Sequence, residues 1–384
     1  MLLAIVFTAL LVSLFTGMLL IRTQHLHAHL SMDHDLGGVQ KFHAAPTPRI
    51  GGVPVLAGLL AGGALLLFAG QKPEYQLYWG VLLSAGPVFL AGLVEDMTKK
   101  VSPLIRLLAA FASAAIAIWS VGGILPALGI PGIDPLLASF PVAAMLLTIF
   151  AAGGVCHSIN IIDGYNGLMG GVALLAFCAL AYVSLAVGDM PLLALCLAAA
   201  AAMLGFLVWN FPRGMIFAGD AGAYLVGFLL AELAVLLVAR HPGVVSPWFP
   251  LLLLIYPVFE TMFSIYRKKH LRQMSPGLPD GLHFHMLVYK RLVRWMVGSQ
   301  EAKHLTRRNS LTAPYLWGVA LFSIMPALLF WRHQWALQLC ALLFVFAYVW
   351  VYRRLVTFRA PRLLVLRKAN PNPKRPAIKP RKAA

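Results

Sequence analysis

His157-Ser-Ile-Asn160-Ile-Ile-Asp163-Gly-Tyr-Asn166-Gly-Leu-Met-Gly-Gly171 is the stretch on which the reading of this chain turns. It sets two amides, a carboxylate, an imidazole and four glycines between apolar segments. On a helix, residues three apart share a face, so Asn160 and Asp163 project together. Gly164 and Gly167 allow backbone to approach a ligand closely. A plain glycine-rich connection needs no carboxylate at an apolar helix end, and ionisable groups in such places mark functional sites.

Working outward, the 384 residues are 60% hydrophobic and 11% charged, and the mean hydropathy is positive. A soluble domain carries about 25% charged residues, so the composition excludes one and predicts an all-α polytopic membrane protein. Eleven apolar runs approach the ~20 residues that span a bilayer. They lie near 1–21, 51–70, 78–94, 103–121, 139–156, 168–187, 191–209, 219–239, 246–265, 311–331 and 334–352. The first run lacks a basic leader and a small-residue cleavage site, and reads as a retained helix.

Lys and Arg fix the expected orientation, because cytoplasmic loops retain them. With the N-terminus outside and the C-terminus inside, all but Lys72, Arg240 and Arg332 of the 31 Lys and Arg fall on one side. The net charge of +18 therefore belongs to one membrane face, where it attracts anionic headgroups or a polyanionic substrate. Nucleic acid is not an expected partner, since topology already accounts for the charge. Cys156, Cys178, Cys196 and Cys340 show no metal-type spacing and read as packing residues. The expectation is one transmembrane domain over 1–352, with catalytic loops near 23–50, 95–102, 157–167, 210–218 and 266–310. A basic tail, 353–384, is expected to be disordered beyond about residue 369.

These loops carry the remaining polar groups. His25, His27, His29, His34 and His43 are irregularly spaced and read as solvated residues, whereas Thr47-Pro-Arg49-Ile-Gly-Gly52 delivers an Arg on a rigid turn. Glu95 and Asp96 are adjacent carboxylates, which need a cation, and hard divalent ions take such oxygens. Lys99, Lys100 and Arg106 follow them. Asp220 sits between Gly219 and Gly222 at a helix start, where exposed amides favour anions. In the longest loop, Pro279-Asp-Gly-Leu-His283-Phe-His285 precedes an expected amphipathic interfacial helix over 286–298. Glu232 and Glu260 lie within apolar runs with no evident partner, Glu260 nearer the inside.

Arg49, Glu95, Asp96, Asn160, Asp163, Asp220, His283 and His285 thus come from five loops expected on one side. Acidic metal ligands among Arg, Lys and His beside a lipid surface suit phosphoryl chemistry on a membrane lipid. The segments PTPRIGG at 46–52, Glu95-Asp96, NIIDGYNGL at 160–168, FAGDAGAYLVGF at 217–228 and HFH at 283–285 resemble the polyprenyl-phosphate N-acetylhexosamine-1-phosphate transferase superfamily. Their order extends the resemblance over residues 40–295, closest to the undecaprenyl-phosphate N-acetylglucosamine-1-phosphate transferase branch.

The resemblance implies a Mg²⁺-dependent enzyme, with Mn²⁺ as substitute, in the bacterial inner membrane with its site on the cytoplasmic face. It would move a sugar 1-phosphate from a UDP-N-acetylhexosamine to undecaprenyl phosphate, release UMP and start lipid-linked surface polysaccharide. By the same resemblance, Asp220 and Asp96 would hold metal, and Glu95 and Asp96 would assist the lipid phosphate or the metal. Asn160 and Asp163 would organise the site, and Asn166, Asn210 and Phe217 would meet the uridine. Arg49, Lys99, His283 and His285 would meet the diphosphate and sugar. A homodimer is the expected assembly. The sequence departs from the superfamily pattern at Glu95 for Asp, His157 for Asn, Asn166 for Asp and Met286 for His. The competing readings are a phospho-N-acetylmuramoyl-pentapeptide transferase, whose triple-His segment is absent, and a transporter built on Glu232 and Glu260, whose site would lie at the bilayer midplane.

Overall fold

The computed structural model describes residues 1–33, 46–69, 72–275, 280–293 and 302–358. His34 and His43, Pro279, positions 294–298 of the expected interfacial helix, and the tail from residue 359 lie outside the described residues. The described residues are mostly helical. Among them, one sheet pairs two-residue strands, β1 (Met32–Asp33) and β2 (Thr47–Pro48), antiparallel.

In order, the helices are α1 (Leu2–Arg22), α2 (Gln24–Ser31), α3 (Gly52–Ala69), α4 (Lys72–Ser84), α5 (Gly86–Thr98) and α6 (Pro103–Val121). Then come α7 (Asp134–Ser139), α8 (Pro141–Ile162), α9 (Leu168–Ala186), α10 (Met190–Asn210) and α11 (Gly219–Arg240). The last are α12 (Trp248–Leu253), α13 (Ile255–Tyr266), α14 (Phe284–Val288), α15 (Ala302–Phe330) and α16 (Gln334–Val356), with π-helical turns at Arg267–Leu271 and Tyr289–Val293.

Among the described residues, nine helices are long and apolar enough to cross a membrane, one of them running continuously through α4 and α5. The protein is a multi-pass membrane protein. The two other expected runs are helical but shorter: α3 is one, and the run at 246–265 breaks at Leu254 into α12 and α13. Pro257 explains the break, since it has no N–H to offer the carbonyl four residues back.

Helix α11 is the axis of the bundle. Every residue from Gly219 to Val238 is buried, and α3, α5, α6, α8, α9 and α10 all pack against it. A helix apolar on every side belongs in the interior. Around it, α1, α6, α8, α15 and α16 expose apolar side chains such as Phe7, Trp119, Phe150, Leu329 and Phe346, as lipid-facing helices do. Small residues set the close crossings. A Cβ on Gly227 would lie 2.7 Å from the Cα of Cys156, where α11 crosses α8. The four cysteines are free thiols, and the packing role holds for buried Cys156 and Cys196, whereas Cys178 is exposed. In α2, His27 bonds Ser31 Oγ in its own helix and the Leu20 carbonyl of α1, so it ties the two helices together.

Candidate active site

The site forms where the start of α11 meets the start of α3 and the end of α5. Backbone hydrogen bonds join the two loops: Phe217 N–H to the Pro48 carbonyl at 2.8 Å, Gly51 N–H to the Phe217 carbonyl at 2.8 Å, and Gly52 N–H to the Ala218 carbonyl at 3.0 Å. Only glycine permits this approach. A Cβ at Gly52 would sit 2.8 Å from the Ala221 carbonyl carbon, and one at Gly92 would sit 2.6 Å from the Ala221 Cα. Gly219 has φ +69 and its missing Cβ leaves room for the Arg49 carbonyl and the Asp96 carboxylate.

Asp96 is buried and caps α11. Its Oδ1 and Oδ2 accept the amides of Asp220 and Ala221, each at 2.8 Å, which satisfies donors that a helix start leaves orphaned. The carboxylate of Asp220 is bridged from two sides: Oδ1 accepts Asn160 Nδ2 at 3.0 Å and Oδ2 accepts Arg106 Nη1. Arg49 Nη2 stands 3.7 Å from Asp96 and 3.9 Å from Asp220. Behind Arg106 lie the Tyr224 ring, 5.7 Å from the guanidinium, and His157, whose Nδ1 is 3.1 Å from the Tyr224 hydroxyl.

Asp163 differs from both. It ends α8 just beyond Asn160, and its carboxylate accepts no hydrogen bond among the described residues. Burial pushes its pKa up to about 7, against the pull of nearby Arg49. Three carboxylates, Asp96, Asp163 and Asp220, thus face the two guanidinium groups of Arg49 and Arg106. With all three ionised, the carboxylates would exceed the guanidinium groups by one charge, which a bound cation would offset.

The turn after Asp163 is the hub. Asn166 N–H donates to Asn309 Oδ1 at 2.7 Å, and its Nδ2 reaches the Pro212 carbonyl at 3.3 Å and Ser310 Oγ at 3.4 Å. Gly167, at φ +78, donates its N–H to Asn210 Oδ1 at 2.6 Å, while Asn210 Nδ2 holds the Ile216 carbonyl at 2.8 Å. On the other flank the Tyr165 ring meets His285 edge-on with centroids 5.7 Å apart. A Cβ at Gly164 would lie 3.4 Å from His285 Nε2. His285 stacks on His283 at 5.3 Å and 7°. Burial pushes the pKa of His285 down to about 3, so its ring is neutral at pH 7.

The structure therefore joins Arg49, Asp96, Asn160, Asp163 and Asp220 in one cluster and brings His285 against its hub, with His283 stacked on His285. Other residues have different work. Glu95 folds back, its Oε2 accepting Val101 N–H at 2.6 Å, and it shapes the α5–α6 connection. Lys99 is exposed at the C-cap of α5 with φ 56. Asn210 has both ends of its amide engaged by backbone and positions the hub. Half-buried Phe217 contributes backbone bonds to Pro48 and Gly51. Asn166 keeps its carbonyl oxygen without a donor among the described residues.

The sequence reading missed Arg106 as a site residue and counted it only as an inside charge. Its partner is 114 positions away, and only its place one turn into a helix after an acidic pair could have drawn notice. Asn309 and Ser310 went unremarked for the same reason.

For a divalent ion, no group of three or more His, Cys, Asp or Glu side chains assembles among the described residues. Mg²⁺ needs fewer, since it takes one or two carboxylates plus substrate phosphates and water. Uncommitted Asp163 fits that requirement. Asp96 fits it less well, because its oxygens accept fixed backbone amides, whereas those of Asp220 accept side chains, Asn160 and Arg106, that can turn toward a substrate.

Fold and site together define a polytopic membrane protein with an anionic, arginine-lined cluster at one end of its central helix. A family model described as glycosyl transferase family 4 matches residues 78–238. A probable undecaprenyl-phosphate N-acetylglucosaminyl 1-phosphate transferase of Bacillus subtilis (strain 168) is 30% identical over 295 residues, covering 76% of this chain and 75% of the relative. Undecaprenyl-phosphate alpha-N-acetylglucosaminyl 1-phosphate transferases of Yersinia pestis and Thermotoga maritima are 27% and 26% identical, each covering 67% of this chain and 69% and 72% of their own lengths. The chain belongs to glycosyl transferase family 4.

Proposed function

We propose that the chain transfers an N-acetylhexosamine 1-phosphate from a UDP-sugar to undecaprenyl phosphate, releasing UMP, at the cluster around Arg49, Asp163 and Asp220. The observation that carries this reading is the convergence of three carboxylates and two guanidinium groups where α3, α5, α8 and α11 meet. The names of the relatives point to the same reaction.

A lipid phosphate oxygen attacks the β-phosphorus of the donor, and the bond from that phosphorus to the bridging oxygen breaks, so that oxygen leaves with UMP. The lipid phosphate is already ionised at pH 7, which removes the need for a strong base and leaves positioning and charge stabilisation to the protein. Arg49 and Arg106 bind phosphate oxygens, and Asn160 holds Asp220 in register. Asp163 and Asp220 would hold Mg²⁺, with Mn²⁺ as substitute, and the bound ion would neutralise charge on the donor diphosphate. Asp96 orders the start of α11 under them.

We assign eleven spans, an outside N-terminus, an inside C-terminus and a site on the cytoplasmic face of the bacterial inner membrane, supported by the one-sided Lys and Arg. The product would start a lipid-linked surface polysaccharide. UMP release by purified protein from a panel of UDP-N-acetylhexosamines tests the reading. Release that needs both a polyprenyl phosphate and a divalent ion is expected. Lipid-independent release, or none from any donor with folded protein, would overturn it.

A further inference from the structure

We propose that Glu260 is a positioning residue that decides which nitrogen of His283 is offered to the substrate. Glu260 lies on α13, in the second half of the broken segment, and is fully buried at 0% exposure. Its Oε1 lies 2.9 Å from His283 Nδ1 and accepts Phe284 N–H at 3.1 Å. Its Oε2 accepts the Tyr348 hydroxyl from α16. Every group around this carboxylate is a donor, so Nδ1 of His283 carries its hydrogen toward Glu260. That leaves Nε2 as the ring atom available to a ligand, whatever the charge on the ring.

The clamp also fixes where the ring stands. By holding both the imidazole and the next amide, Glu260 sets the start of α14, and His285 one residue further stacks on His283 and contacts the Gly164–Tyr165 turn. The carboxylate itself stays behind the rings, so it acts through His283. This is the arrangement in which a carboxylate behind an imidazole orients it and selects its tautomer.

The inference rests on the transfer reading above, and two readouts separate their fates. In the first, histidine ring nitrogens are labelled with nitrogen-15 in the full-length protein, and His283→Asn assigns the His283 signals. Wild type should show Nδ1 protonated, and Glu260→Leu, which removes both acceptor oxygens, should change that pattern while Glu260→Asp retains it. An identical pattern in wild type and Glu260→Leu would overturn the proposal, and this readout does not depend on activity.

In the second, UMP release is measured for Glu260→Leu, His283→Asn and the double variant. Each single change should lower kcat about 10- to 100-fold, the loss typical when an orienting partner is removed. The double variant should be no worse than His283→Asn alone, because the two act as one unit. Glu260→Asp should recover part of the rate. Losses that multiply in the double variant would show that Glu260 acts by another route and would overturn the proposal.

Discussion

Asp163 is a residue in which fold and chemistry pull against each other. Burial raises its pKa from 3.8 to about 7, and Arg49 offsets only part of that. The folded protein therefore holds a proton there that the unfolded chain has already released, so this group's contribution to stability falls as pH rises from about 4 to about 7. In metal-free detergent solution, Asp163→Asn should melt a few degrees above wild type at pH 8 and level with it at pH 4. Added Mg²⁺ should raise the wild-type melting temperature and leave the variant unmoved. Parallel curves at all pH values would mean that Asp163 is not the strained carboxylate. Asp96 and Asp220 are engaged differently, one capping α11 and the other pairing with Arg106 and Asn160.

Helices α3, α5 and α11 cross closely at the site over Gly52 and Gly92, and the cluster depends on that crossing. The missing Cβ atoms of Gly52 and Gly92 make room for the backbone of α11 at Ala221. Gly92→Ala should lower the melting temperature and cut activity together, because it moves Asp96 away from the amides it caps. Gly154→Ala on α8, where an added Cβ meets nothing within 4 Å, should be neutral or gain about 0.5–1 kcal/mol. Equal effects at the two positions in thermal melts would remove the crossing from the account. At this scale the sequence was only partly legible. Polar residues at the ends of apolar runs announced Asn160, Asp163 and Asp220, because little else explains them there. The break at Leu254, the tie from Asn210 to Gly167 and the pairing of Glu260 with His283 were not readable. Each depends on a partner brought from another part of the chain, or on how a proline-containing run resolves once packed. Arg106 was hidden differently: its positive charge already had a sufficient explanation in topology.

For the whole molecule, the amphipathic bundle and its charge asymmetry make one claim, that a charged soluble donor meets a membrane lipid at the end of α11. Sequence composition conveyed the membrane class outright, since 60% hydrophobic residues leave few alternatives. The side on which the cluster opens can be read with cysteine labels in a variant lacking the four native cysteines. A membrane-impermeant maleimide should modify Arg332→Cys in intact cells, and Lys99→Cys only after permeabilisation. The reverse pattern would invert the topology. The most direct test of the central claim is to follow phosphorus. A UDP-N-acetylhexosamine radiolabelled in its β-phosphate is incubated with purified protein, undecaprenyl phosphate and Mg²⁺, and the lipid is extracted. The account predicts label in the lipid fraction, matched by UMP release and abolished by Asp220→Asn in protein that still melts cooperatively. Label that remains in the water phase while the sugar moves to lipid, or transfer that survives Asp220→Asn, would contradict it.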